Sequence, residues 1–187
     1  MDDVYIHSTS VVEEDVEIGA GTKVWHFSHI QSGARIGENC VLGQNVNVSR
    51  NVRIGNGVKI QNNVSVYEGV ELEDYVFCGP SCVFTNDLTP RAKYPKNHNY
   101  KRTLIKHEAT LGANCTIVCG NTVGEYAMVA AGAVVSKDVE PHALVAGVPA
   151  RRIGWVCECG QILNGELVCK DCGKAFKLNS NHVLVGE

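Results

Sequence analysis

The repeat that decides the fold is visible in residues 36–48, which read Ile36-Gly37-Glu38-Asn39-Cys40-Val41-Leu42-Gly43-Gln44-Asn45-Val46-Asn47-Val48. Every sixth residue here is apolar. The same spacing extends in both directions over residues 6–88, at Ile6, Val12, Ile18, Val24, Ile30, Ile36, Leu42, Val48, Ile54, Ile60, Val66, Leu72, Cys78 and Phe84. Neither the helical period of about 3.6 residues nor the two-residue period of a strand gives a six-residue repeat. The pattern predicts a parallel β-helix, in which successive turns of the chain stack.

A second inward position lies four residues after each of these. It carries small or branched side chains, namely Ser10, Val16, Thr22, Ser28, Ala34, Cys40, Val46, Val52, Val58, Val64, Val70, Val76, Cys82 and Leu88. Three hexads make one triangular coil, and coils stack at about 4.8 Å, the spacing of strands in any sheet. The hexads resume from Ile105 to Val135. We therefore expect an all-β domain of about seven coils over residues 1–153, followed by a small tail over residues 154–187.

Composition places limits on the function. The chain has 187 residues, 44% of them apolar and 20% charged, with a net charge of −3. This charge gives no reason to expect a nucleic-acid partner. No apolar run approaches about 20 residues, so we expect no membrane span. The acidic N-terminus, Met1-Asp2-Asp3, lacks the apolar core of a signal peptide, and we expect a cytoplasmic protein.

Polar and aromatic side chains form columns in the early coils. Trp25, His26 and His29 occupy positions outside the predicted core. Residues eighteen apart should lie one above the other, which groups His26 with Gln44 and Asn62, Asn45 with Asn63, and His29 with Asn47 and Ser65. A β-helix does not need columns of Gln, Asn and His side chains to fold, so these columns suggest a surface that binds a ligand. An outer face at a subunit contact, or asparagines stacked for structural reasons, would give the same pattern.

The register stops after Phe84-Thr85-Asn86. The 21 residues from Phe84 to Ile105 are not a multiple of six, so a loop of residues 89–104 should leave the coil and return to it. Residues 88–107 contain no Asp or Glu but carry Arg91, Lys93, Lys96, Lys101, Arg102 and Lys106. Such a segment predicts an anionic ligand, although a solvated basic loop is the alternative. Long loops on compact scaffolds tend to be functional.

Cysteines fall into two groups. Inward hexad positions hold Cys40, Cys78, Cys82 and Cys115, where a thiol behaves as a small hydrophobic group. Cys119 is the third residue of its hexad and should point outward. The tail holds Cys157, Cys159, Cys169 and Cys172 as two pairs, each followed by Gly. Four thiolates suit a tetrahedral ion, so these four predict a structural zinc site in a zinc-ribbon-like tail, with reduced free thiols as the alternative.

The closing Gly147-Val148-Pro149-Ala150-Arg151 resembles the last segment of hexapeptide acyltransferases, in which coenzyme A lies along the coil near this end. Several longer segments resemble one enzyme family within that class. They are Val24-Trp25-His26, Gly43-Gln44-Asn45-Val46, Lys59 to Tyr67, Phe77 to Ser81, Phe84-Thr85-Asn86, Pro90-Arg91 and Gly112 to Thr116. Residues 4–155 resemble the bacterial N-acetyltransferases that act on 3-amino sugar nucleotides, in particular UDP-2-acetamido-3-amino-2,3-dideoxy-glucuronate. The resemblance implies a left-handed coil and a homotrimer that binds acetyl-CoA between subunits. It also implies a role in surface polysaccharide (O-antigen) synthesis.

The resemblance also implies residue roles. Asn86 is expected to accept a hydrogen bond from the sugar amine, with the coenzyme sulfur taking the proton at the end. His26 or His29 is the alternative, as a general base. The expected substrate-binding residues are Trp25, Gln44, Asn45, Asn62, Asn63, Tyr67, Glu68, Arg91 and Arg102, and those expected at coenzyme A are Cys119, Ala131, Lys137 and Arg151.

Other functions remain open from the residues. The alternative acceptor is another amino-sugar nucleotide, either a dTDP-3-amino or a UDP-4-amino sugar. A γ-type carbonic anhydrase is a second enzyme class on this coil, and it needs three histidines that bind one metal. Here His26 and His29 are three residues apart, and His98 and His107 lie at either end of the loop. These positions do not reproduce the histidine spacing of that family. A non-catalytic scaffold is the third alternative, and the basic loop and Asn86 argue against it.

Overall fold

The computed structural model describes residues 3–95, 99–180 and 183–186. Its strands form three parallel sheets that wrap one core, plus a two-stranded hairpin near the C-terminus. This confirms the all-β solenoid, while the left-handed sense stays a prediction. Within the described residues, no helix has the length and apolar character needed to cross a membrane.

Each sheet forms one face of the solenoid and takes every third strand through the regular hexads, after which the first sheet gains two consecutive strands. Face 1 contains β1 (Tyr5–Ile6), β4 (Lys23–Val24), β7 (Val41–Leu42), β10 (Lys59–Ile60), β13 (Phe77–Cys78), β16 (Thr110–Leu111), β19 (Met128–Val129), β21 (Ala143–Ala146) and β22 (Arg151–Trp155). Face 2 contains β2 (Val11–Val12), β5 (His29–Ile30), β8 (Asn47–Val48), β11 (Ser65–Val66), β14 (Val83–Phe84), β17 (Thr116–Ile117) and β20 (Val134–Val135). Face 3 contains β3 (Glu17–Ile18), β6 (Arg35–Ile36), β9 (Arg53–Ile54), β12 (Val70–Leu72), β15 (Thr103–Ile105) and β18 (Thr122–Val123).

The core consists of the two inward positions of each hexad. Ile30, Leu42, Ile60 and Leu111 are fully buried, and so are the inward cysteines at 40, 78 and 115, with Cys82 nearly so. Burial raises the pKa of the Cys40 thiol, so it stays protonated and packs as an apolar group. Because each coil buries its apolar side only against its neighbours, the sequence period sets the core directly.

Polar inward residues are satisfied by the next coil. Ser28 Oγ donates to the carbonyl of Gly43 at 3.0 Å and accepts from the N–H of Val46 at 3.2 Å. Thr22 makes the same two contacts, with Gly37 and Cys40. Hydroxyls are tolerated in this core because they close the turn above them.

The number of coils differs from the sequence expectation of about seven. Face 1 carries eight parallel strands, from β1 to β21, so the solenoid has about eight turns. The extra level arises because the chain after Val139 turns at His142 and pairs β21 with β19, beyond the last regular hexads. Antiparallel β22 then covers the free edge of β21. β22 crosses residue 153, where the sequence placed the boundary between coil and tail.

The predicted loop leaves between β14 and β15. Its return is fixed by the N–H of Lys101, which donates to the carbonyl of Asn86 at 3.0 Å. Stacked partners are eighteen residues apart below the loop, as Ser65 is from Val83, and 33 apart across it, as Phe84 is from Ile117. The loop therefore inserts residues without breaking the register of the stack.

The tail forms a small separate cluster. Two strands, β23 (Phe176–Leu178) and β24 (Leu184–Gly186), make an antiparallel hairpin. Its buried side chains are Cys157, Leu163, Cys169, Phe176 and Leu184.

Candidate active site and cysteine cluster

Predicted site residues gather at two corners of the solenoid, both of which border face 2. Corner 1–2 lies between faces 1 and 2 and contains Trp25, His26, Gln44, Asn45, Asn62, Asn63 and Ala131. Corner 2–3 lies between faces 2 and 3 and contains Tyr67, Glu68, Asn86, Arg91, Cys119 and Lys137. The structure therefore divides the predicted residues into two groups within one chain.

Corner 1–2 has a cleft of about 380 Å³, lined by Trp25, His26, Gln44 and Asn62 among others. The Trp25 and His26 rings are nearly parallel, with centroids 6.2 Å apart, and His26 stacks on His7 at 3.5 Å. Tyr5 lies 5.3 Å from Trp25. The first coils thus present an aromatic and imidazole surface next to amide side chains.

The asparagines at corner 1–2 have a structural function. Asn45 and Asn63 adopt positive φ, 58° and 62°, a conformation that Asn tolerates better than most residues. Their side chains hydrogen bond, Asn45 Nδ2 to Asn63 Oδ1, at 3.0 Å. Asn62 Oδ1 accepts the N–H of Gln44 at 2.8 Å. Turn geometry is sufficient to explain these residue types, so their role in binding substrate stays a prediction.

His29 is held by a carboxylate. Its Nε2 lies 2.8 Å from Glu13 Oε1, and the other Glu13 oxygen accepts the N–H of Ser32 at 2.9 Å. The Ser32 N–H and then His29 lower the pKa of the Glu13 carboxyl below its usual value. An oriented imidazole of this kind is suited to proton transfer. However, β5 is three coils from β14, so His29 and Asn86 are separated by about 14 Å along the stack.

Corner 2–3 has a second cleft, of about 370 Å³, at the base of the loop. Asn86, Asp87, Arg91, Tyr94 and Tyr100 contribute to its lining. Asn86 is half-buried, and its backbone is anchored by Lys101. Tyr67 and Glu68 lie one coil below Thr85 and Asn86 by continuation of the strand register. Sequence reasoning missed Tyr94 and Tyr100, although two aromatic residues inside a basic loop were a usable signal.

The loop cations differ in their contacts. Arg102 Nη2 donates to Glu71 Oε2 at 3.0 Å, so this guanidinium already has an anionic partner. Arg91 is exposed and donates to the carbonyl of Pro90 at 3.0 Å. The ammonium of Lys93 lies 5.9 Å from the centre of the Tyr94 ring. Lys96 and His98 lie outside the described residues.

Above Asn86, corner 2–3 continues through Cys119 and Lys137, one and two coils higher by register. Cys119 is 2% exposed but does not belong to the core cluster that contains the inward cysteines. It is therefore covered by neighbouring residues outside that core, and its outward direction stays a prediction. The corner closes around it: Cys119 N donates to Thr85 Oγ1 at 2.9 Å, and Gly120 N donates to Thr103 Oγ1 at 3.2 Å. Hexad position gives the direction of a side chain but not what the returning loop covers.

A groove of about 270 Å³ lies at the upper end of this corner. Its lining includes Lys137, Arg151 and Arg152. Arg152 contacts Glu140 and stacks over the Trp155 ring at 4.3 Å. The sequence predicted Lys137 and Arg151 but missed Arg152, which directly follows Arg151 in the closing segment. Ala131, the fourth predicted coenzyme residue, is exposed at corner 1–2 instead.

The four tail cysteines come together. All four Sγ atoms lie within 4.8 Å of one another, with Cys157 and Cys172 at 3.4 Å and Cys159 and Cys169 at 3.5 Å. The backbone N–H of Cys172 lowers the pKa of the Cys169 thiol to about 6, while burial raises that of Cys157 to about 12. Among the described residues, this is the one metal-ligand cluster found, and no group of three histidines forms within a chain.

Comparison with known families agrees with the repeat. The family described as "Bacterial transferase hexapeptide (six repeats)" matches residues 16–50. A second family, "Hexapeptide repeat of succinyl-transferase", matches residues 107–137. The two matches fall on either side of the loop.

Curated relatives include a full-length match. The dTDP-3-amino-3,6-dideoxy-alpha-D-galactopyranose 3-N-acetyltransferase of Aneurinibacillus thermoaerophilus is 45% identical over 177 residues, which is 92% of this chain and 90% of that protein. A 2,3,4,5-tetrahydropyridine-2,6-dicarboxylate N-acetyltransferase of Enterococcus faecalis is 52% identical, but over 50 residues, or 27% of this chain.

Solved structures share the solenoid. A hexapeptide-repeat acetyltransferase of Vibrio cholerae, solved with acetyl coenzyme A, is 28% identical with a TM-score of 0.56, over 66% of this chain and 70% of that one. The GDP-perosamine N-acetyltransferase of Caulobacter crescentus, solved with CoA and GDP-perosamine, has a TM-score of 0.53 at 23% identity. The match covers 81% of this chain but 56% of the Caulobacter chain, and at this identity it shows the fold alone.

Proposed function

This chain belongs to the hexapeptide-repeat family of acetyl-CoA-dependent sugar-nucleotide N-acetyltransferases, and we propose that its acceptor is the 3-amino group of the sugar. The observation that carries the proposal is the near-complete alignment with the Aneurinibacillus enzyme, whose name specifies a 3-amino sugar and acetylation at N3. The matched region includes both corners and the loop between β14 and β15.

The chemistry fits corner 2–3. The neutral amine attacks the thioester carbon of acetyl-CoA, the N–C bond forms, the C–S bond breaks, and the amine proton passes to the departing sulfur. A mostly neutral amine needs orientation more than a strong base. Asn86 supplies an amide oxygen next to the loop cleft, and it is positioned by a backbone that Lys101 holds. We assign Asn86 the role of aligning the amine.

Acetyl-CoA is proposed to lie above Asn86 along corner 2–3. By strand register, Cys119 lies between Asn86 and the separate groove that Lys137, Arg151 and Arg152 line. Cations at that end suit the phosphates of coenzyme A, since guanidinium groups bind phosphate through paired hydrogen bonds. The thioester end then points towards Asn86.

A homotrimer is proposed, with face 2 at the contact. The outward residues of face 2 are uncharged apart from one histidine: Val11, His29, Asn47, Ser65, Val83, Thr116 and Val134. Face 1 instead presents Lys23 and Lys59, and face 3 presents Glu17, Arg35, Arg53 and Glu71. Interfaces are depleted of charge in their centres, which favours face 2.

This contact completes the site. When the same face of three copies surrounds a threefold axis, one edge of that face meets the opposite edge on the next copy. Corner 1–2 of one protomer then adjoins corner 2–3 of its neighbour, at matching levels of the stack. Ala131 would lie opposite the neighbour's Lys137. The amide side chains of corner 1–2 would lie opposite the part of the bound acceptor that extends from Asn86 towards the first coils. The aromatic cleft at Trp25 lies about 14 Å below Asn86 and suits the nucleotide end of an extended substrate.

For the acceptor itself, we propose UDP-2-acetamido-3-amino-2,3-dideoxy-glucuronate. Arg91, Lys93 and Lys101 are exposed at the loop, and they suit the pyrophosphate together with a sugar carboxylate. The second candidate is dTDP-3-amino-3,6-dideoxygalactose, favoured by the name of the Aneurinibacillus relative. The cytoplasmic location and the role in surface polysaccharide stay predictions.

The test is thiol release from acetyl-CoA against a panel of sugar nucleotides. The panel holds the proposed UDP uronate, the same compound with a C6 hydroxymethyl group, the dTDP sugar and a UDP-4-amino sugar. We expect the highest kcat/KM with the uronate and a loss of about tenfold or more without its carboxylate. Highest activity with the dTDP sugar would keep the 3-amino reaction and replace the acceptor. No turnover with any 3-amino sugar would overturn the proposal.

A further inference from the structure

The cysteine cluster has the dimensions of a metal site. A zinc ion with Zn–S bonds of about 2.3 Å in a tetrahedron places its sulfurs about 3.8 Å apart. The Sγ distances of 3.4 and 3.5 Å, with all others within 4.8 Å, bracket that value. A disulfide requires about 2.05 Å between sulfurs. We propose that Cys157, Cys159, Cys169 and Cys172 bind one zinc ion as four thiolates, and that this ion is the folding core of the tail.

The backbone around the cysteines is built from two matching turns. Cys157 N donates to Gln161 O and Gly160 N to Cys157 O, and Gly160 has a positive φ of 91°. Cys169 N donates to Lys174 O and Gly173 N to Cys169 O, and Gly173 has a positive φ of 75°. Each turn places two thiols on the same side. The first turn does this with one residue between its cysteines and the second with two.

The tail has little else to fold around. Five side chains make up its buried cluster, and two of them are the ligands Cys157 and Cys169. Chains below about 40 residues rarely fold by apolar burial alone and usually need a metal, disulfides or a partner. In such small modules the free energy of metal binding is the free energy of folding.

The tail is also fastened to the end of the solenoid. The buried His142 donates from Nδ1 to the carbonyl of Val156, one residue before the first ligand, at 3.0 Å. Its ring stacks on Tyr126 at 4.8 Å and meets Phe176 of the tail at 5.4 Å. Residues 156–160 also share a cleft with Tyr75, Glu108 and Tyr126, which belong to lower coils. The ion therefore holds the tail against the side of the solenoid.

Metal content of the full-length protein tests the site. We expect about one zinc ion per chain after purification under reducing conditions without chelator, measured by mass spectrometry. Cys159→Ser combined with Cys172→Ser removes the two exposed ligands with little loss of packing and should reduce zinc below about a tenth of an equivalent. Cys40→Ser is the matched control, since it removes a thiol from the coil core and should keep the zinc. No metal in the wild-type chain, iron in place of zinc, or zinc retained by the double variant would overturn the site.

Proteolysis tests the folding role separately. The double variant should be cut within residues 157–180, whereas the tail of the wild type and of Cys40→Ser should resist cleavage there. Any cleavage of the solenoid and its exposed loop should be equal in all three proteins. Equal protection of the tail with and without metal would overturn the ion's role as its folding core. Acetyl transfer is not the readout, so failure here and failure of the proposed reaction are distinguishable.

Discussion

Mixed trimers offer the sharpest check of how the site is assembled. One variant carries Asn86→Ala and Arg91→Ala at corner 2–3, and the other carries Trp25→Ala and Gln44→Ala at corner 1–2. Each should be nearly inactive alone, because every site in its homotrimer lacks one half. Both keep the inward hexad positions, so the solenoid should be unchanged.

The expected recovery follows from the position of the two clefts on opposite edges of face 2. A site is intact when the first variant supplies corner 1–2 and the second variant, as its neighbour, supplies corner 2–3. Random assembly of equal amounts gives this arrangement at about one quarter of the interfaces. Co-expression should therefore restore about a quarter of the wild-type kcat in the thiol-release assay.

A matched control uses the same four substitutions on one chain, co-expressed with the wild type. A site shared between neighbours predicts about one quarter of full activity, because both contributors must be wild type. A site contained in one chain predicts about one half. Activity of the first mixture no higher than that of its parents, together with one half in the control, would refute the shared site.

Three further outcomes are expected. Asn86→Ala should lower kcat by about 10- to 1000-fold with little change in KM, since one aligned hydrogen bond in the transition state is lost. The backbone hydrogen bond between residue 86 and Lys101 remains in this variant. A loss of kcat under about threefold would contradict the role of Asn86 in aligning the amine. Arg91→Ala should raise KM for the sugar nucleotide by about tenfold. Arg102→Ala should raise it by less, because Glu71 already binds that guanidinium. A larger KM increase in Arg102→Ala than in Arg91→Ala would contradict the assignment of Arg91 as the cation that binds the substrate. Ser28→Ala should lower the free energy of unfolding, measured by urea denaturation, by about 1–3 kcal/mol. The reason is that it leaves the Gly43 carbonyl and the Val46 N–H without their partner. The control Ser8→Ala changes an exposed serine and should leave the free energy of unfolding unchanged.

Much of the solenoid was predictable because its contacts repeat with the sequence. In a stack of coils, a residue such as Leu42 meets residues eighteen positions before and after it, and a six-residue period gives those partners without a structure. The inward cysteines and the columns His29–Asn47–Ser65 follow from the same rule. The predicted exit of the loop after Asn86 followed because 21 residues do not fit a multiple of six.

The candidate site depended on contacts that do not follow the period. The loop changes the stacking distance from 18 to 33 residues, and Cys119 is 2% exposed although its hexad position predicts an outward side chain. The sequence grouped Asn86 with His26 and His29, but the fold assigns them to levels three coils apart and gives His29 the carboxylate of Glu13.

The sequence alone determined the repeating core, the columns of residues eighteen apart, and the four cysteines of the tail. The tertiary structure decided which polar side chains pair outside the columns, as Glu13 does with His29, and which cations already have a partner, as Arg102 has in Glu71. It also brought the four sulfurs within 4.8 Å. The physical reason is that a repeat fixes contacts between identical positions, whereas a loop, an ion pair and a metal cluster join positions that share no period.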